Sequence, residues 1–261
     1  MRVISKKDLS VQGKLVCIYG ESGVGKTVST LQSSPKPILW IVTEPRDLVE
    51  PIEAAGVKES NIDIAIYDKW NELIEYLSKT ESVKNYKTIF LDSLTYLMNI
   101  SLAEEIGAES FEARTKKERI DKPIASQTKL TMENRGVINN CVFRTLKALG
   151  QLSQSGKLVV VSCLLSENPK WNRELAAAPA LSGREVPVSF AAFFDLIGLV
   201  QARADENGRI IYPPLVTFES DGSFIAKFTG SGKKRRGPLN FEKILGINNK
   251  KPLKEDFRDE N

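Results

Sequence analysis

The sequence predicts an α/β fold: a mainly parallel central sheet flanked by helices and followed by C-terminal β-hairpins. Three observations predict it. Apolar runs of strand length recur along the first two thirds of the chain, and segments with helical spacing separate them. The turn dipeptides Asn207-Gly208 and Asp221-Gly222 then punctuate the last third. Strands covered by helices on both faces have no polar side to show, so they read as continuous apolar runs rather than alternating ones.

The elements follow in order. Lys14 to Tyr19 reads as a buried strand, and a Gly-rich turn leads into a helix from about Lys26 to Ser33, ended by Pro35 and Pro37. Ile38 to Thr43 is a second strand; Asp47 to Ala55 is helical and stops at Gly56. Ile62 to Tyr67 alternates as a strand, Trp70 to Leu77 carries helical spacing, and Lys87 to Leu91 is a strand ending in Asp92. Leu94 to Ile106 is a helix closed by Gly107, and Leu130 to Leu152 a long helix closed by Gly156. Lys157 to Cys163 is another buried strand, and Phe194 to Gln201 a further one. Asn207-Gly208 predicts a hairpin with Ile210 to Tyr212, and Asp221-Gly222 a second between Val216–Glu219 and Phe224–Phe228. Residues 1–230 are expected to form one domain, with 108–128 and 165–187 as mobile loops. Residues 231–261 are expected as a tail, basic and then acidic.

Composition excludes several chemistries. Histidine is absent, which removes Ser-His-Asp and Cys-His catalysis and any His-ligated zinc. Cys17, Cys141 and Cys163 show no CxxC spacing and are expected as buried thiols. No apolar run is long enough to span a bilayer, and Met1 to Lys7 carries no apolar signal segment, so a cytoplasmic location is expected. The net charge, 37 − 33 = +4, is too small to indicate nucleic acid by itself.

Gly20-Glu21-Ser22-Gly23-Val24-Gly25-Lys26-Thr27 fits G-x-x-x-x-G-K-[ST] between a predicted strand and a predicted helix. Such a loop curls its backbone N–H groups toward phosphate oxygens, and the helix aims its positive N-terminal end at the same place. Lys26 is expected on the β- and γ-phosphates of ATP, and Thr27 on Mg²⁺. The strand Thr88-Ile89-Phe90-Leu91 ends in Asp92, the second carboxylate that such a site needs to organise Mg²⁺. Glu44 ends the second strand, where a carboxylate can deprotonate an attacking water, although a surface turn before Pro45 explains it equally well from pattern alone.

These residues resemble the RecA-like ATPase core. The P-loop is similar to RecA's, and Ile41-Val42-Thr43-Glu44-Pro45-Arg46-Asp47 resembles the strand that ends in the RecA catalytic glutamate. More closely, the chain resembles the compact phage nucleotide-binding proteins related to Sak-type single-strand annealing ATPases, over roughly residues 12–240. Tyr86 to Thr95 looks like their Walker-B segment. Lys157 to Cys163 looks like their next strand, which makes Ser162 the candidate γ-phosphate sensor, and Ala180 to Leu196 resembles the segment leading into a further strand. One departure stands out: Ser162-Cys163-Leu164 occupies the place where family members often carry His or Gln. Lys233, Lys234 and Arg235 fall where such cores place a basic motif that contacts nucleotide across a subunit boundary, a role that calls for the homo-oligomer the resemblance implies; a contact to DNA backbone and an ordinary solvated tail are the other two readings of the Lys233–Arg236 cluster.

The resemblance also implies single-stranded DNA as a partner, with a single-strand DNA-binding protein as a candidate second one. Two segments carry suitable side chains: one with the cations Arg114, Lys116, Lys117 and Arg119, the other with the cations Lys170, Arg173 and Arg184 and the aromatic Trp171. Cations follow phosphates and Trp171 offers a stacking face; a solvated helix face and a packed loop are the plain alternatives. The favoured expectation is an ATP-hydrolysing protein of DNA recombination, annealing or replication. A small-molecule or nucleotide kinase shares the P-loop but no Arg-rich lid is legible, and a non-catalytic ATP-dependent scaffold is the third reading. An AAA+ motor fits less well, since no helical lid with a sensor arginine is legible after the core.

Overall fold

Residues alternate between two cores along each central strand, as the two-residue period of a strand demands. The computed structural model describes residues 13–108, 130–183, 185–229 and 235–246. In β1 (Lys14–Gly20), Leu15, Cys17 and Tyr19 face one layer while Val16 and Ile18 face the other. β2 (Ile38–Val42), β4 (Thr88–Asp92) and β5 (Leu158–Glu167) divide their side chains in the same way. β3 (Ile62–Ile66) lies at the sheet edge, and past the buried Ile62 it is mostly exposed, Ile64 and Ile66 included.

The strand order is β10 (Arg236–Pro238), β8 (Ile210–Thr217), β7 (Leu196–Ala204), then β1-β5-β4-β2-β3. The pairs from β3 through β7 are all parallel. β8 and β10 add antiparallel strands beyond β7. One layer contains α3 (Trp70–Ser78), α5 (residues 94–108, interrupted by a π-helical turn at Leu97–Ser101) and α6 (Met132–Gln154). The opposite layer contains α1 (Lys26–Ser33), α2 (Val49–Ala55) and the short α8 (Phe241–Leu245). Two further short α-helices among the described residues are α4 (Thr80–Val83) and α7 (Glu185–Ser189). No helix among the described residues is long and apolar enough to cross a membrane.

Three local expectations change. The helix after β4 runs through residue 108, so Gly107 does not close it. Segment 165–187 is not a plain loop: β5 extends to Glu167 and β6 (Ala177–Pro179) folds back to pair with it. The second hairpin does not form. Its turn exists, with Gly222 at φ 98° and the Ser220 hydroxyl accepting from the Gly222 N–H. Its second arm, however, becomes β9 (Lys227–Phe228) and pairs with β7 at Leu196 and Ile197. β8 covers β7 from Leu199 onward and gives its own outer edge to β10, so the free edge available to β9 is the start of β7.

Candidate active site

In an open parallel sheet the ends of the strands and the starts of the helices face the same side, and a ligand lies there. β1, β2, β4 and β5 deliver the P-loop, Glu44, Asp92 and Ser162 to that edge. The loop can turn tightly because Gly23 and Gly25 adopt φ of 76° and 94°, values that side chains disfavour. Gly20 is needed for a different reason: a Cβ there would come within 2.4 Å of the Val200 carbonyl oxygen.

α1 opens without a side-chain cap and without an acidic residue in its first turn. Its leading N–H groups therefore face the loop with no protein anion to satisfy them, the condition under which a helix N-terminus takes up phosphate. Lys26 is 8% exposed, and its Nζ donates to the carbonyls of Gly20 at 2.9 Å and Glu21 at 2.7 Å. Burial lowers the pKa of its ammonium, and Asp92 pulls it partly back. A desolvated cation next to open amides is an anion site.

Asp92 is 3% exposed and organises the other half. Its Oδ2 accepts from the Thr27 hydroxyl at 2.8 Å, and its Oδ1 from the Ser162 hydroxyl. Ser162 is wholly buried, so the side chain expected to sense a phosphate holds Asp92 in place. Thr43 ties the second strand to the fourth: its hydroxyl donates to the Ser93 carbonyl at 2.8 Å and accepts the Ser93 N–H at 2.9 Å. That clamp sets Glu44, the next residue, opposite Asp92. Burial raises the Glu44 pKa and the Asp92 charge adds to it; Arg46 and Lys26 oppose the shift.

A cavity of about 650 Å³ joins these groups, bounded also by Gln32, Tyr212 and Pro213. That volume suits a small-molecule ligand. Tyr212 lies against the loop, since a Cβ on Gly25 would come within 2.9 Å of its ring. The sequence held no motif that would place Tyr212 here; β8 brings it across the sheet. Among the described residues no cluster of three or more His, Cys, Asp or Glu forms a metal cage. One hydroxyl and one carboxylate are instead the sparse donor set that Mg²⁺ uses when phosphates and waters complete its shell.

The family match agrees with this geometry. The family model described as an AAA domain matches residues 12–212, from just before β1 into β8. The chain belongs to the AAA domain family. The AAA domain marks it as a P-loop ATPase-type domain of α/β fold. No sequence match to a curated protein accompanies it. Among the described residues, the part of this AAA domain that follows β5 holds strands and short helices and no helical lid, so the likeness lies in the nucleotide-binding core.

The remaining sequence candidates scatter. Trp171 is half-buried and Arg173 exposed on the connection between β5 and β6. Arg235 pairs with Glu219 and lies 5.9 Å from the Phe228 ring centroid, so it has partners within its own chain. Lys116, Lys117, Arg119, Arg184, Lys233 and Lys234 lie outside the described residues. The three cysteines are buried thiols, as composition led us to expect.

Proposed function

We propose that the protein is a Mg²⁺-dependent ATPase acting in DNA recombination, single-strand annealing or replication, as a compact RecA-like core akin to the phage Sak-type annealing ATPases. The observation that carries the nucleotide reading is the convergence of Lys26, Thr27, Asp92 and Glu44 on the uncapped start of α1. Lys26 and the loop amides bind the β- and γ-phosphates. Thr27 and Asp92 would hold Mg²⁺, which when bound would draw charge from the phosphate oxygens. Glu44 orients a water and takes its proton as the water oxygen bonds to the γ-phosphorus and the bond to the bridging oxygen breaks, releasing ADP and phosphate. Tyr212 offers its ring to the base.

The DNA reading rests on the family resemblance and on one connection. β5 carries Ser162, which bonds Asp92, and runs on to the exposed Lys170 and Arg173 and the half-buried Trp171 before β6 returns. A strand that touches Asp92 and leads into a connection carrying two cations and an aromatic residue is a short route between nucleotide and nucleic acid. The test is ATP turnover with and without single-stranded DNA, with Lys26→Ala as the blank. Stimulation by DNA is expected. Turnover indifferent to DNA points to a phosphotransferase, and nucleotide binding without turnover points to a scaffold.

A further inference from the structure

Arg46 stands where the proposed mechanism needs a metal ion. Its Nη1 lies 3.0 Å from Asp92 Oδ2, 3.4 Å from Thr27 Oγ1 and 3.1 Å from Glu44 Oε1. Asp92 and Thr27 are the two side chains placed on Mg²⁺; Glu44 is the one placed on water. The guanidinium is also 5.8 Å from the ring centroid of the buried Trp40, which gives it a resting surface. Its side chain is 27% exposed, so a path to solvent exists.

Mg²⁺ binds oxygen at about 2.0–2.1 Å and tolerates little distortion. A nitrogen within hydrogen-bonding distance of both donor oxygens fills the gap that the ion would enter, so the two cations exclude each other. A Glu44 oxygen that accepts from a guanidinium is likewise engaged and badly placed to take a proton from water. One side chain therefore blocks the metal and restrains the base together. It also neutralises the site: Asp92 and Glu44 face Lys26 and Arg46, two charges against two.

We propose that Arg46 is an internal counter-ion that Mg²⁺ displaces, so that arrival of the metal with nucleotide frees Glu44 in the same event. The inference rests on the nucleotide reading above. Arg46 is a gating residue that acts through Asp92 and Glu44. Its effect is a Mg²⁺ requirement higher than the donor set alone would impose.

The test is equilibrium binding of a fluorescent non-hydrolysable ATP analogue to the full chain, titrated with Mg²⁺, in wild type, Arg46→Gln and Arg46→Lys. Thermal melting of each variant reports folding. Arg46→Gln is expected to lower the half-saturating Mg²⁺ by about tenfold, the equivalent of one charge-assisted contact no longer to be broken. Arg46→Lys keeps the charge without the planar fork and falls between the two. An unchanged Mg²⁺ requirement in Arg46→Gln overturns the inference and makes the contact structural. A raised requirement also overturns it and makes Arg46 a ligand of the phosphates. Both outcomes leave the nucleotide reading standing, which fails separately if Lys26→Ala binds the analogue as wild type does.

Discussion

Glu44 was visible in the sequence only as a carboxylate at the end of an apolar strand, equally at home in a surface turn; the likeness to RecA made it a candidate base. Its position follows from its neighbour. Thr43 bonds both the carbonyl and the N–H of Ser93 and so locks the end of β2 to the end of β4. Glu44→Gln removes the base but keeps the side chain's size, and it is expected to cut turnover by about 10²–10⁴-fold while nucleotide affinity holds. Turnover near the wild-type rate in that variant removes Glu44 from the mechanism. Arg46 shows the limit of reading residues singly. It sits within the quoted motif, yet nothing in its spacing says that it turns back past Glu44 to reach Asp92. Ser162 is similar: the sequence placed it at the right edge, but only packing shows its hydroxyl committed to Asp92.

Among the elements, the β1–loop–α1 unit was the most legible, because its motif is local and each glycine answers a local demand. Gly20 and Gly25 add constraints from far along the chain, Gly20 from β7 and Gly25 from Tyr212 on β8. The absent side chain of Gly20 lets the Val200 carbonyl approach, at a point where a Cβ would sit 2.4 Å from that oxygen. Gly20→Ala is expected to destabilise the fold by about 1–3 kcal/mol, the usual cost of overpacking, read as a lower thermal midpoint without nucleotide. An unchanged midpoint would show that β1 and β7 part without cost. The second hairpin was misread for a related reason. A turn dipeptide fixes a turn and says nothing of which strand edge is free, and here the open edge at Leu196 and Ile197 captures the second arm.

For the molecule as a whole, the alternating apolar and helical runs were sufficient to predict a mainly parallel sheet with helices on both faces, because that pattern is a direct consequence of double-sided burial. Strand order was not legible: β5, late in the chain, inserts between β1 and β4, and periodicity carries no such information. That insertion lets Ser162 meet Asp92 and puts Trp171 and Arg173 on the continuation of a site-forming strand. In the proposed function this edge binds a nucleoside triphosphate through Lys26 and the start of α1. Equilibrium binding of ATP with Mg²⁺, compared between the wild-type chain and a folded Lys26→Ala variant, tests it most directly. Saturable binding by wild type and its loss in Lys26→Ala are expected; equal binding by both would rule out nucleotide capture at this edge.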